Sequence, residues 1–89
     1  MTWHLCWSEP ALRMLQQIPA RDAASVDGAI QRFAESGAGD VVRLREDDAV
    51  TVRLRVGRYG SRLSLDRIGG LLTVWSVYRL APARHRSRP

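Results

Sequence analysis

The spacing of apolar residues along this chain changes once, near residue 40, from a helical period to a period of two. Before the change, Trp3, Leu5 and Trp7 alternate with His4 and Cys6, which predicts a short opening strand. Ser8 is a good N-cap and Pro10 suits a first helical turn. Ala11, Met14, Leu15 and Ile18 then fall at the i, i+3, i+4 and i+7 positions of one stripe. Pro19 ends that helix. A second helix is predicted from Arg21 or Asp22 to about Ser36, with Val26, Ala29, Ile30, Phe33 and Ala34 as its buried stripe and Gly37 as its stop. The two helices make a hairpin.

Beyond the change, Val41 to Arg45, Val50 to Val56, Ser61 to Asp66 and Leu71 to Tyr78 read as four successive strands. The segments between them, Glu46-Asp47-Asp48, Gly57 to Gly60 and Asp66 to Gly70, are short and polar or glycine-containing, as hairpin turns require. Helices followed by strands imply an α+β domain of order β-α-α-β-β-β-β, with the helical hairpin on one face of a mainly antiparallel sheet. The other face stays partly open. On the third strand, Val50, Val52, Leu54 and Val56 alternate with Thr51, Arg53 and Arg55, so one side is oily and the other cationic. Trp3, Trp7 and Trp75 read as core or interface residues rather than as platforms for nucleobases.

Charge sharpens this picture. Residues 1–50 hold five Arg against eight Asp and Glu, a formal −3; residues 51–89 hold nine Arg against Asp66 alone, a formal +8. Such asymmetry points to nucleic acid, an anionic membrane or an acidic partner. All 14 basic residues are Arg, which also fits an arginine-favouring genome. At 89 residues there is room for one small core. Cys6 is the only cysteine, so neither an internal disulfide nor a thiolate cluster is expected. No apolar run approaches the roughly 20 residues that span a bilayer, and the N-terminus lacks a signal-peptide pattern, so the expected location is the cytoplasm. Residues 81–89 hold two prolines and three Arg and are expected to form a flexible basic tail.

The element order, together with WSEPALRML at residues 7–15, VRLRVGRY at 52–59 and a closing strand LLTVWSVYRL, resembles the RelE/ParE toxin superfamily over residues 1–80. That resemblance implies a bacterial toxin paired with a cognate antitoxin. It implies one of two activities: ribosome-dependent cleavage of messenger RNA, as in RelE-like members, or inhibition of DNA gyrase through a protein–protein interface, as in ParE-like members. Arg53, Arg55 and Arg79 match positions where RelE-like toxins grip RNA, and Tyr59 and Tyr78 join them as expected RNA-binding residues. Where the RelE-like pattern usually places a further Arg after the tyrosine, this chain has Gly60; Arg62, two residues on, is the expected substitute. The lysines of many RelE-like enzymes are absent, and so is a clear match to their C-terminal tyrosine.

Cutting RNA by attack of a 2′-hydroxyl needs a proton acceptor, stabilisation of the charged transition state and a proton donor to the departing oxygen. Arginine serves the middle role, since its pKa above about 12 makes it a poor base. The proton-transfer roles fall to His4, His85, Tyr59, Tyr78, an acidic residue or groups on the ribosome. The expected catalytic set is Arg62, Arg79 and His85. Plainer readings stand beside these. Arg53 and Arg55 also suit a solvated face that discourages edge aggregation, Arg79 a strand cap, and His4 a structural role. No metal or other cofactor is expected, since Glu46-Asp47-Asp48 lacks any ligand spacing and reads as a solvated turn. Ser8 reads as a cap, not a nucleophile.

Overall fold

The computed structural model describes residues 2–46 and 49–81. Its elements are β1 (His4–Trp7), α1 (Glu9–Gln17), α2 (Ala20–Ser36), β2 (Asp40–Glu46), β3 (Ala49–Val56), β4 (Tyr59–Asp66) and β5 (Leu71–Arg79). The predicted α+β order is therefore the observed one. The expected turn residues Asp47 and Asp48, and the tail from residue 82 with His85, lie outside the described residues.

Local chemistry accounts for the helix ends. The Ser8 hydroxyl accepts a hydrogen bond from the Ala11 amide at 3.3 Å and donates one to the Trp75 carbonyl at 3.0 Å, so one side chain both caps α1 and ties it to β5. Ile18 is extended, as the residue before a proline prefers. The second helix starts at Ala20, slightly earlier than the pattern suggested, because Pro19 itself occupies the position that precedes it. At its far end Gly37 takes a left-handed φ of 77° and its amide donates to the Phe33 carbonyl at 2.8 Å, closing the last turn.

The strands form one sheet in the order β1-β5-β4-β3-β2. Strands β2 to β5 make the expected antiparallel meander, while β1 runs parallel to β5 on its outer side. Both helices lie against the same sheet face. There Val26, Ile30 and Phe33 of α2 meet Val52, Leu54, Leu63, Leu72, Val74 and Val77 in a core that excludes water. Ala11, Leu15 and Ile18 carry the α1 stripe into it, whereas Met14 stays 38% exposed at the margin. Trp3, Leu5 and Trp7 are half-buried against the same core.

One irregularity sets the geometry of the opposite face. Arg62 pairs with Ser76, but the next residue, Leu63, pairs with Val74, so Trp75 has no partner and forms a bulge. Core positions on β5 consequently run 72, 74 and then 77. The extra residue reverses the alternation: Tyr78 joins the open face and Arg79 is turned to the helix side. Trp75 itself lies on the open face, 51% exposed, which removes the core half of the expectation that it is a core or interface residue.

Candidate functional site

The open face is laid out in rows that cross the strands. Arg53 of β3 stands directly opposite Arg62 of β4, which stands opposite Ser76 of β5. In the next row, Arg55 is opposite Gly60, and Gly60 is opposite Tyr78. On the other side of the arginine row, Thr51, Ser64 and Thr73 continue across the sheet to Cys6 on β1. Alternation along β3 and β4 produces these rows without any special loop, since Val52, Leu54, Leu63 and Leu65 are held in the core and their neighbours must point away.

Arg53 and Arg62 form a like-charge cross-strand pair, an arrangement that costs a sheet roughly 0.2–1 kcal/mol relative to neutral neighbours. Among the described residues no carboxylate forms an ion pair with either. Among the described residues the one ion pair is Glu9 with Arg13 at 3.4 Å on α1. Asp40 stands opposite Arg55 on the edge strand without forming an ion pair with it. Arg53, Arg55 and Arg62 are all exposed, so their donors remain available to a ligand.

Two aromatic side chains share this face, and both are held in place. A Cβ at Gly60 would lie 2.6 Å from Tyr78 Cε2 and 2.9 Å from its hydroxyl, so the tip of the phenol ring rests on Gly60 and uses the space that a side chain would take. The residue expected to weaken the site by being glycine is thus the seat of Tyr78. Trp75 donates its indole N–H to the Ser64 hydroxyl at 2.7 Å, which lays the indole toward β4.

Two of the candidate residues lie elsewhere. Tyr59 is on the helix side, buried, with its hydroxyl donating to Asp22 Oδ2 of α2 at 2.9 Å. That hydrogen bond, which holds the proton on the phenol, raises its pKa above the usual 10.0; burial and the Asp22 charge add to the rise, while Arg79 and Arg58 oppose it. Arg79 stands opposite Tyr59 and so belongs to this second cluster rather than to Arg53, Arg55 and Arg62. His4 is on the open face but at its far end, opposite Leu71, roughly 13 Å along the strands from the Arg62 row. His85 lies outside the described residues. Tyr78 is therefore the titratable hydroxyl that shares the open face with the three arginines at that end of the sheet.

Two depressions open on the helix side. One of about 390 Å³ is lined by Trp3, Arg43, Val50, Leu65 and Arg67 near the end of α2, and one of about 340 Å³ lies around Asp22, Arg58 and Tyr59. Neither adjoins the arginine rows. No three His, Cys, Asp or Glu side chains converge on one point among the described residues. No helix among them is long and apolar enough to cross a membrane.

No protein-family model matches the chain, and no curated protein matches its sequence. Its fold does have solved counterparts. The archaeal RelE-RelB complex from Pyrococcus horikoshii OT3 contains a chain that superposes with a TM-score of 0.81 at 17% identity, covering 93% of this chain and 100% of the other. The toxin-antitoxin complex RelBE2 from Mycobacterium tuberculosis contains one with a TM-score of 0.77 at 20% identity, covering 92% and 95%. The chain thus has the RelE fold along nearly its whole described length.

Proposed function

We propose that this protein is the toxin of a type II toxin–antitoxin pair, and that its arginine face binds messenger RNA at the ribosome and promotes its cleavage in the RelE-like manner. The observation that carries this reading is the like-charge pair of Arg53 and Arg62, held side by side next to Arg55 and in no ion pair among the described residues. A sheet gains nothing from that arrangement until a polyanion meets it, and phosphate oxygens match the guanidinium fork. The shared fold with chains solved in toxin–antitoxin complexes supports the rest.

In the proposed reaction the ribose 2′-oxygen attacks the adjacent phosphorus, a new P–O bond forms, and the bond to the 5′-oxygen breaks. Arg55 and Arg62 stabilise the negative charge that builds on the equatorial oxygens. The 2′-hydroxyl proton leaves to a base, and the departing 5′-oxygen gains one from an acid. Tyr78, seated on Gly60 beside Arg55, is placed to hold one of these protons, and ribosomal groups supply the other. An antitoxin that neutralises this protein is expected to lay an acidic or amphipathic segment over the cationic face or along an open sheet edge.

Primer extension on messenger RNA in a translating extract tests the proposal. New 5′ ends in phase with codons, dependent on ribosomes and lost in Arg62→Ala, are expected. An intact message removes the nuclease reading. The scarcity of proton-transfer groups near Arg62 favours one other reading, a non-catalytic ParE-like inhibitor of DNA gyrase, for which a supercoiling assay would show inhibition while the message stays whole.

A further inference from the structure

We infer that Trp75, the extra residue of the β5 bulge, is a stacking platform for a base of single-stranded RNA on the open face, separated from the Tyr78 seat by Arg62. This rests on the reading of the arginine face as an RNA site and adds to it a residue that the family resemblance passes over.

Three observations converge on this position. The indole is half exposed although a tryptophan in a small domain has a core available to it, and Trp3 and Trp7 do pack there. Its orientation is held, because the Nε1–H bond to Ser64 at 2.7 Å leaves the ring little freedom to turn. Stacking on a ring that is already immobile forfeits less entropy than ordering a mobile one. The bulge, finally, gives β5 an additional residue at the height of the Arg53–Arg62 row, and that residue is the tryptophan.

The spacing suits a strand with alternating base and phosphate. The phenol tip of Tyr78 lies over Gly60 and the Trp75 indole bonds to Ser64, four residues further along β4, a separation of about 13 Å. Arg62 is midway between the two on the same strand and the same face. Ring, guanidinium and ring therefore follow one another along β4, the combination of stacking surface and cationic track by which single strands are bound. The row of Thr51, Ser64 and Thr73 beside Trp75 consists of small hydroxyl side chains, which leaves room above the sheet for a base edge.

The test is titration of the full chain at low salt with a short mixed-sequence RNA oligomer, followed by intrinsic fluorescence and by affinity. The wild type should be quenched, Trp75→Phe should lose most of the quench while keeping affinity within about threefold, and Trp75→Ala should weaken binding on the order of tenfold. An oligomer of the same length with abasic sugars should bind more weakly and be indifferent to Trp75→Ala. If the oligomer binds, Arg62→Ala weakens it and Trp75→Ala does not, the platform is overturned and the arginine site stands. Loss of antitoxin binding in Trp75→Ala, with RNA binding intact, would assign the ring to a protein interface and overturn it equally. If no oligomer binds the wild type, the platform falls, and the primer-extension result alone decides the arginine reading.

Discussion

The two faces of this sheet are built from the same strands and answer to different physics. On the helix side β3, β4 and β5 present Val52, Leu54, Leu63, Leu65, Leu72, Val74 and Val77, all buried, and Phe33 and Ile30 close the layer over them. On the open side the intervening residues include three exposed arginines, in no ion pair among the described residues, and two exposed or half-exposed rings. Burial on the first face provides the free energy that lets the second hold an arrangement unfavourable in itself, since about 25 cal/mol is gained per Å² of apolar surface removed from water and only tenths of a kcal/mol are lost by opposing like charges. Stability and function are therefore nearly separable by strand parity.

That separation can be broken most severely from the helix side. Phe33→Ala removes a fully buried ring and should lower unfolding free energy by about 3–5 kcal/mol in urea or guanidinium titrations, taking any activity with it. Gly60→Ala should cost about 1–3 kcal/mol or displace Tyr78, because the added methyl meets the phenol ring and not empty space. Combining it with Tyr78→Ala should recover much of that loss, and simple additivity in the cycle would show that the contact does not matter.

A smaller effect is expected from Tyr59→Phe, present at neutral pH and fading in alkali. Since the folded phenol titrates above the unfolded value of 10.0, the folded state binds its proton more tightly, and the resulting stability is present at lower pH and lost as pH rises through the folded pKa. The variant should lack that alkaline loss, so its melting temperature should change less than the wild type's between pH 9 and 11, about the range where phenols titrate. Least of all should stability notice Arg53→Ala with Arg62→Ala, within about 0.5 kcal/mol of wild type, while the salt dependence of RNA binding drops by about one unit of slope for each arginine removed. A large destabilisation there would make the arginines structural.

Much of this plan was legible from residue order alone. The alternation that puts Arg53 and Arg55 opposite Val52 and Leu54 is local, and so are the Ser8 cap, the helical stripes and the Gly37 stop. What escaped depends on pairing between distant segments. Nothing in residues 3–7 states that they run parallel to β5, and strict alternation from Leu72 would place Arg79 with the open-face arginines. The bulge reverses that phase. Its trace is visible afterward in the apolar spacing of Leu72, Val74 and Val77, two residues and then three, but only the register with Arg62 and Leu63 shows which residue is extra. The seat of Tyr78 on Gly60 was equally hidden, because a missing side chain reads as a deficiency until its cross-strand neighbour is known.

The position of β5 also bears on the order in which the molecule comes into being. This strand is the last of the five along the chain, yet it lies between β1 and β4, and β1 has no other strand beside it. A nascent chain that has reached only β4 lacks Leu72, Val74 and Val77 from its core and has no strand to receive its opening segment. Contacts so distant in sequence form late and slowly. Trp75 and Tyr78 lie on that same strand, so the arginine face acquires its aromatic members only once residues 71–79 have been synthesised. A protein proposed to act against translation would thus complete its site only after the last strand of this sheet has been translated.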